Sequence, residues 1–402
     1  MSKRATAVLC ACFCTVFAAY SIRYSYGTLL PEMLPYLSIT KAEAGGIYSS
    51  YFAAYTILSP VLGLASDRYS IRFLVSIFVA IMGAGTFLMQ YPTSLLQASL
   101  FFTVAGIGCS ACWAPVMALA QRWTSDKRRG LSLSLVDAGS SLGVMAAGGL
   151  VPLAVAGAGW QLGWMGLGIM GLALGVINFI LIRDRPGPSS PAKIVARPRA
   201  RVSGTTYKQL LRDRRFWLLG LAYLLTGFAI IIPFTFISTY AVQELAFPYE
   251  SATLLITIIG GGGMIGKLTL GPLSDRVGRI KIMALCAALI TAGCLAMAYG
   301  RGPVLMAVCF IFGIGYGACW ALYAACAADF FSRQSAGKII GLWTFLLGIG
   351  SVIAPIISGW SKDVSGTFMW AFIIAAAGGL VSLLFLLPVM RSLRLAAKRP
   401  SL

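Results

Sequence analysis

The sequence predicts an all-α membrane protein with twelve transmembrane helices in two six-helix halves, and three observations lead to this prediction. Of the 402 residues, 58% are hydrophobic and only 11% are charged, and the mean hydropathy is +0.84. A water-soluble protein of this length does not have such a composition. Apolar runs of about 20 residues recur along the chain, which is the length that a helix needs to cross a ~30 Å hydrocarbon core. Two motifs also occur twice, at offsets of 207 and 208 residues.

Apolar runs separated by short polar connections define the predicted spans. Strands of a membrane barrel would instead show alternating segments of about ten residues, so we predict helices. In the first half the spans cover residues 6–30, 44–65, 73–92, 96–122, 130–156 and 160–182. In the second half they cover residues 216–241, 251–271, 281–299, 303–330, 338–359 and 368–389. The first run continues well beyond the apolar region of a secretory signal, so we interpret it as an uncleaved span.

The spans divide the chain into four parts. These parts are an N-terminal six-helix half at 1–183, a cytoplasmic linker at 184–215, a C-terminal six-helix half at 216–390 and a basic cytoplasmic tail at 391–402. The linker is rich in proline and arginine and has no apolar run, which predicts disorder as far as Gly204. A short basic amphipathic helix over 207–215 is expected to rest on anionic lipid headgroups, and a plain solvated tether is the alternative.

The formal net charge of +20 comes from lysines and arginines that fall in alternate connections. This asymmetry follows the positive-inside rule, so it indicates cytoplasmic termini and a cytoplasmic linker rather than nucleic-acid binding. We expect a monomer in the lipid bilayer of a cell membrane, specifically a bacterial inner membrane. The ten cysteines lie mostly inside apolar runs and the chain has no histidine. We therefore predict no disulfide framework, no metal site, no cofactor and no enzymatic centre.

Both repeated motifs connect the two halves. The first is GLASDRYSIRF at 63–73 and GPLSDRVGRIK at 271–281, and the second is GIGCSACWAP at 106–115 and GIGYGACWAL at 313–322. A parallel duplication of six spans predicts a pseudo-two-fold axis along the membrane normal. It also predicts a substrate site between the halves and alternating access by rocking.

The duplicated turn resembles the signature loop of the major facilitator superfamily, in which a glycine is followed by Asp-Arg and then by a Gly-Arg pair. The resemblance covers essentially the whole chain and implies the major-facilitator fold. Ser70 stands where the second copy has its glycine, and we expect this change to stiffen the first copy. The resemblance also implies a cytoplasmic gate built from Gly63, Asp67, Arg68, Arg72, Gly271, Asp275, Arg276, Gly278 and Arg279.

The motif at 106–115 and a cation four residues before Gly271 are similar to the monocarboxylate and oxalate/formate branch. In that branch an arginine of the eighth helix binds the substrate carboxylate. Lys267 occupies the matching position, where it retains the charge but not the bidentate fork of an arginine. The arginine that proton-coupled drug antiporters carry in helix four is replaced by Phe102. The resemblance therefore implies transport of a small organic anion, a mono- or dicarboxylate, with proton symport as an option.

Three charges fall well inside the predicted spans, namely Arg23, Asp137 and Lys267. A charge at the bilayer centre costs about 2.5–3.5 kcal/mol or more, so each one suggests a function. From the helical rise, Lys267 and Asp137 lie ~12 Å and the tryptophans Trp113 and Trp320 ~13 Å from the cytoplasmic boundary. We predict Lys267 as the electrostatic anchor of the substrate and Asp137 as a proton-coupling or gating residue. A permanent structural pair of these two residues is the alternative.

Arg23 is predicted to give a second positive contact, with Tyr20 and Tyr26 one turn away on span 1. Alternatively, Arg23 snorkels to the far interface. Trp113 and Trp320 are expected to line the substrate cavity, with ordinary helix packing as the other interpretation. Two further functions stay open at this point: proton-driven efflux of drugs or other amphipathic compounds, and a non-transporting membrane scaffold or sensor.

Overall fold

The computed structural model describes residues 3–66, 68–124, 129–184, 207–331 and 336–397, which form helices joined by turns. The first helices are α1 (Lys3–Leu37), α2 (Lys41–Ala65), α3 (Ile71–Leu88), α4 (Leu95–Cys109), α5 (Ala114–Arg122), α6 (Arg129–Gly149), α7 (Val151–Ala158) and α8 (Trp160–Leu181). The others are α9 (Tyr207–Arg212), α10 (Arg214–Gln243), α11 (Tyr249–Val277), α12 (Arg279–Tyr299), α13 (Pro303–Phe331), α14 (Ala336–Ser365) and α15 (Met369–Ala397).

Twelve stretches of the described helices are long and apolar enough to cross a membrane. They coincide with the predicted spans, so the twelve-helix all-α fold class is confirmed. Large apolar side chains stay exposed along them, including Leu64 at 72% and Leu153 at 69%. Exposed apolar surface of this extent is typical of contact with lipid.

Span 4 consists of two helices, because α4 ends at Cys109 and α5 begins at Ala114. Pro115 lies at the start of α5. Its ring has no N–H group and clashes with the carbonyl four residues earlier, which interrupts the helical ladder. The matching residue of the second half is Leu322, and α13 is continuous there. The single helix predicted over 96–122 is therefore divided by its proline.

The described helices form two compact units. Unit 1 contains Met1–Ala200 and Ile237–Thr257, and unit 2 contains Arg201–Phe236 and Ile258–Leu402. In unit 1, α1 packs along α6, α3 packs along α8, and α4 contacts both α2 and α3; in unit 2, α12 packs against α13 and α15. These units are defined by contacts and not by the duplication, so the boundaries 1–183, 184–215, 216–390 and 391–402 stay predictions.

The duplicated Gly-Ile-Gly motif makes the same helix contact in each unit. A Cβ atom on Gly106 of α4 would lie 2.3 Å from the carbonyl oxygen of Tyr51 in α2. A Cβ atom on Gly313 of α13 would lie 2.3 Å from the carbonyl oxygen of Ile259 in α11. Only glycine allows backbones to approach so closely. Tyr51 and Ile259 are 208 residues apart. The residues that the two glycines contact therefore also occupy matching positions in the two repeats.

The helix that precedes span 7 is shorter than predicted. α9 covers Tyr207–Arg212, and Asp213 separates it from α10. The Asp213 carboxylate accepts a hydrogen bond from the backbone N–H of Arg215 at 2.7 Å, so it caps the first turn of α10. The linker region predicted to be disordered up to Gly204 lies outside the described residues, as does the end of the basic tail.

Candidate functional site

Arg23 lies inside unit 1, where only 8% of its surface is exposed. Its Nε atom donates a hydrogen bond to the hydroxyl of Tyr51 at 3.3 Å, and its Nη2 atom lies 3.3 Å from Sγ of Cys109. These two partners belong to α2 and to the end of α4. Three helices therefore hold the guanidinium within the bundle, and it does not extend to an interface.

Aromatic rings surround the same guanidinium. Its carbon atom Cζ lies 4.5 Å from the ring centroid of Tyr55, 5.1 Å from that of Tyr20, 5.6 Å from that of Phe52 and 5.7 Å from that of Tyr51. The negative faces of such rings attract a cation and partly compensate for its lost hydration. The name Arg23 cluster refers below to Arg23, Tyr20, Tyr51, Phe52, Tyr55 and Cys109.

No carboxylate is in direct contact with the guanidinium of the Arg23 cluster among the described residues. The partners of the guanidinium are a phenol, a thiol and aromatic rings, all of which are formally neutral. A buried cation without a counter-charge costs several kcal/mol. A bound anion would supply that charge, so the cluster is suited to anion recognition.

Trp113 and Asp137 lie next to this cluster. The ring of Tyr20 is 6.1 Å from that of Trp113, measured between centroids. Asp137 of α6 is close enough to Tyr20 to interact with it electrostatically, and Ser140 donates a hydrogen bond to its Oδ1 atom at 3.3 Å. The structure thus brings four predicted residues into one region of unit 1: Arg23, Tyr20, Trp113 and Asp137.

Tyr26 lies elsewhere on α1. Its hydroxyl donates a hydrogen bond to the carbonyl of Ala44 at 2.6 Å, and its ring stacks on Tyr48 at 4.8 Å and on Phe102 at 5.2 Å. Tyr48 in turn donates a hydrogen bond to the backbone carbonyl of Arg23 at 3.0 Å. Tyr26 therefore fixes α1 against α2 and α4, and the structure does not bring it next to the guanidinium.

Lys267 is a half-buried residue of α11 in unit 2. The preceding residue, Gly266, approaches α13 so closely that a Cβ atom on it would lie 2.1 Å from the carbonyl oxygen of Ile314. This contact holds the backbone of Lys267 beside α13, which also contains Trp320. The position of Lys267 along its helix is therefore fixed by close glycine packing.

Trp320 lies in an aromatic group of unit 2. Its ring packs edge-on against Tyr223 at 5.8 Å and against Tyr316 at 6.1 Å. Its indole N–H is buried and has no hydrogen-bond partner among the described residues. A buried donor of this kind usually has a partner, so an oxygen atom of a ligand is a candidate for that place.

The second copy of the turn motif forms an ion-pair network around Arg279. Its guanidinium lies 2.8 Å from the carboxylate of Asp275 and 2.6 Å from that of Asp329, and it donates to the hydroxyl of Ser274 at 3.1 Å. Gly278 separates α11 from α12 with a φ angle of +108°, a conformation that favours glycine. The network connects the α11–α12 turn to the end of α13.

The first copy is held in a different way. Ser70 donates a hydrogen bond to one carboxylate oxygen of Asp184 at 2.5 Å, and the backbone N–H of Arg72 donates to the other at 2.9 Å. The Arg72 side chain donates to the carbonyl of Phe179 at 2.7 Å. Asp184 thus caps the first turn of α3, and the serine that replaces the motif glycine attaches this turn to the end of α8.

The other described gate residues are exposed or loosely packed. Arg68 and Arg276 are exposed, and a Cβ atom on Gly271 would meet nothing within 4 Å. A Cβ atom on Gly63 would lie 3.9 Å from Ala114, which is ordinary van der Waals contact. Asp67 lies outside the described residues.

Span 2 contributes Tyr51, Phe52 and Tyr55 to the cluster, and none of these three was predicted. Tyr48, Tyr51, Phe52 and Tyr55 recur at the spacing of one helical face, and that aromatic stripe was a usable signal. The sequence shows Cys109 only as one of several cysteines inside apolar runs. Its contact with Arg23 joins residues 86 positions apart, and no local pattern indicates such a contact.

The sequence profile of the Major Facilitator Superfamily matches residues 12–346 and 251–399. Among curated proteins, the chain is 25% identical to a hexuronate transporter of Bacillus subtilis, covering 91% of this chain and 90% of the relative. It is 24% identical to mouse monocarboxylate transporter 4, covering 95% and 82%. It is also 24% identical to the membrane sensor protein UhpC of Escherichia coli, covering 94% and 91%.

The fold is similar to a crystal structure of a bacterial homologue of the human lysosomal transporter Spinster in an inward-facing, unoccupied conformation. The TM-score is 0.75 at 14% sequence identity, and the alignment covers 96% of this chain and 95% of that chain. The predicted resemblance to the major facilitator superfamily, including its monocarboxylate transporters, is confirmed, as is the prediction that the protein is not an enzyme. The chain belongs to the Major Facilitator Superfamily.

Proposed function

We propose that this protein is a secondary active transporter of a small organic anion, a mono- or dicarboxylate, that works by alternating access. The observation that carries the proposal is the buried guanidinium of Arg23, whose contacts within the described residues are all formally neutral. A carboxylate substrate would supply the missing counter-charge and would form charge-assisted hydrogen bonds with it. The similarity to relatives named for hexuronate and monocarboxylate transport supports the same substrate class.

Each site residue has a distinct proposed role. Arg23 binds the substrate carboxylate, and the ring of Tyr20 together with Trp113 forms one wall of the binding site. Lys267 supplies the second positive contact. The unpartnered indole N–H of Trp320 donates to an oxygen atom of the substrate.

Asp137 is the proposed coupling residue. It is an intramembrane carboxylate whose charge acts on Tyr20, a member of the Arg23 cluster. Protonation would remove a negative charge beside the anion site and so favour substrate binding. This coupling predicts proton symport, in which an inward proton gradient drives uptake of the anion.

The distribution of Lys and Arg residues supports the proposed orientation. Basic residues concentrate in alternate connections, in the linker and at both ends of the chain. By the positive-inside rule, both termini are cytoplasmic in a bacterial inner membrane. We propose that the protein acts there as a monomer.

Uptake into proteoliposomes tests this function. Radiolabelled pyruvate and succinate represent the two carboxylate classes, and each is offered with and without an inward proton gradient. We expect saturable uptake of at least one anion, stimulated by the gradient, and loss of that stimulation in Asp137→Asn. Arg301→Ala removes an exposed arginine of a connection and serves as the matched control for loss of a positive charge.

A membrane sensor is the second candidate, because the chain is similar to UhpC along almost its whole length. A sensor would bind the anion without moving it, so binding without uptake would support that function. Efflux of amphipathic cations would require a negative binding site, whereas the Arg23 cluster is positive. Export of a cationic dye from loaded vesicles would contradict the anion proposal.

A further inference from the structure

The turn between α4 and α5 contains a Cys-x-x-Cys sequence that the proposed function does not use. The backbone N–H of Cys112 donates to the carbonyl of Cys109 at 2.9 Å, which is the hydrogen bond of a 3₁₀ turn. In such a turn the side chains of residues i and i+3 are eclipsed, and their Cα atoms lie about 6 Å apart. A disulfide requires a Cα separation of about 4.4–6.8 Å, so this backbone can accept one.

The two thiol groups are close enough to influence each other electrostatically. Cys112 also donates a hydrogen bond to the carbonyl of Gly108 at 3.6 Å, which fixes its side chain on this side of the turn. Pro115 interrupts the helical ladder and so favours the 3₁₀ turn, in which residues three positions apart are eclipsed. Local backbone geometry and side-chain contacts therefore both favour bond formation between these sulfur atoms.

Cys109 is buried, so only a small oxidant can reach it, but its neighbours activate it for reaction with such an oxidant. Nη2 of Arg23 lies 3.3 Å from its sulfur, and the hydroxyl of Tyr51 interacts with the same atom. A neighbouring cation and a Cys-x-x-Cys partner are two of the features that make a cysteine nucleophilic. Both features converge on Cys109.

We propose that Cys109 and Cys112 form an oxidisable dithiol that reacts with hydroperoxides. The Cys109 thiol gives up its proton as its sulfur attacks one peroxide oxygen, and the O–O bond breaks. The proton goes to the leaving oxygen, which departs as an alcohol or water, and a sulfenic acid forms on Cys109. Cys112 then attacks this sulfur, the S–O bond breaks, and the oxygen leaves as water. The two thiols lose two electrons, and these reduce the hydroperoxide to an alcohol or to water.

Oxidation would change the anion site directly. The disulfide removes the Cys109 thiol as a partner of Nη2 of Arg23. It also locks the turn between α4 and α5. Because Arg23 is the substrate anchor under the proposed function, and this step rests on that function, oxidised protein should transport more slowly. Reduction by a dithiol should restore the rate.

The second copy of the motif supplies an internal comparison. Tyr316 stands at the position of Cys109, and Cys319 at that of Cys112. Cys319 interacts with Cys286 of α12, and no cation contributes to that interaction among the described residues. Cys109 and Cys112 are thus a thiol pair beside a guanidinium, and Cys286 and Cys319 are a comparable pair without one among the described residues.

Mass spectrometry of the purified full-length protein in liposomes tests the thiol reaction without any transport assay. The protein is treated with tert-butyl hydroperoxide, alkylated, digested and scanned for a Cys109–Cys112 disulfide. We expect this pair to oxidise at least about tenfold faster than Cys286 and Cys319, because only Cys109 has the adjacent cation. A pair that stays reduced, or that reacts no faster than Cys286 and Cys319, overturns the proposal.

Uptake measurements with and without peroxide test whether oxidation of Cys109 and Cys112 slows transport. Cys112→Ser removes the second thiol but none of the proposed substrate contacts, so it should keep its basal uptake. Peroxide can take this variant only as far as the Cys109 sulfenic acid, which leaves the turn unlocked, so it should lose less uptake than wild type. Wild-type uptake should fall on oxidation and recover with dithiothreitol. Equal peroxide sensitivity in both proteins would overturn the link to transport. If no anion is transported at all, the proposed function fails, whereas the mass-spectrometric result still decides the thiol chemistry.

Discussion

The hydroxyl of Tyr51 accepts a hydrogen bond from Nε of Arg23 at 3.3 Å. The backbone of the same tyrosine forms the contact with Gly106, where a Cβ atom would lie 2.3 Å from its carbonyl oxygen. Tyr51 therefore connects the proposed anion site to the closest approach of α2 and α4. The guanidinium is positioned by a rigid helix contact and not by a loop, and binding sites on such elements are held more accurately.

The first prediction concerns the geometry of the guanidinium. Arg23→Lys keeps the positive charge but loses the planar fork that donates to Tyr51 and Cys109 simultaneously. We expect KM for the transported anion to rise by about tenfold or more, because a charge-assisted hydrogen bond contributes about 1.5–3 kcal/mol. Initial uptake rates at increasing anion concentration measure this change. An unchanged KM would show that substrate binding does not require the planar guanidinium of Arg23.

The second prediction concerns the duplicated glycine contact. Gly106→Ala places a methyl group against the Tyr51 backbone, which cannot yield without separating α2 from α4. We expect a destabilisation of about 1–3 kcal/mol, as for other overpacked sites. Gly261→Ala is the matched control, because a Cβ atom there meets nothing within 4 Å. Thermal unfolding of both variants in detergent provides the comparison, and equal melting temperatures would contradict the close packing.

The third prediction concerns Lys267. We expect Lys267→Ala to abolish anion uptake while the protein stays folded, and we expect Lys267→Arg to keep part of the activity because the charge remains. Uptake and size-exclusion profiles of both variants measure these effects. Normal affinity in the alanine variant would remove Lys267 from the site, and an inactive arginine variant would indicate a strict requirement for the lysine geometry.

The fourth prediction concerns the turn between α11 and α12. Arg279→Gln breaks the contacts with Asp275 and Asp329, which hold this turn against the end of α13. We expect a lower maximal uptake rate with little change in KM, since these residues lie outside the proposed binding site. Arg276→Gln is the control, as Arg276 is exposed in the same turn. Equal rates in the two variants would exclude a specific role for the Arg279 network.

The sequence was sufficient to predict features that depend on composition and repetition. The twelve spans follow from apolar length, and the duplication follows from the two repeated motifs. The meeting of Arg23 with Tyr20 needs only one helical turn, so local spacing predicts it. The hydrogen bond between the side chains of Ser70 and Asp184 joins residues 114 positions apart, and it depends on how α3 packs against α8. Contacts of this kind follow from tertiary packing, which local patterns do not specify.

The division of span 4 shows a second limit. Pro115 was visible in the sequence, but membrane helices often tolerate proline, so a continuous helix was the reasonable expectation. The structure interrupts the helix and places Cys109 and Cys112 on one 3₁₀ turn beside Arg23. This site requires both the interrupted helix of span 4 and the contact of Cys109 with Arg23 on α1. Neither of these two features alone would predict the site.

Ligand-induced thermal stabilisation measures anion binding at Arg23 without a transport assay, because an anion that binds the folded protein must raise its melting temperature. Carboxylates are screened against wild-type protein, Arg23→Ala and the control Arg301→Ala in the same detergent. If Arg23 binds the anion, at least one carboxylate raises the melting temperature of wild type and of Arg301→Ala. The same carboxylate leaves the melting temperature of Arg23→Ala unchanged. Equal stabilisation of all three proteins would contradict the assignment of Arg23 as the anion-binding residue.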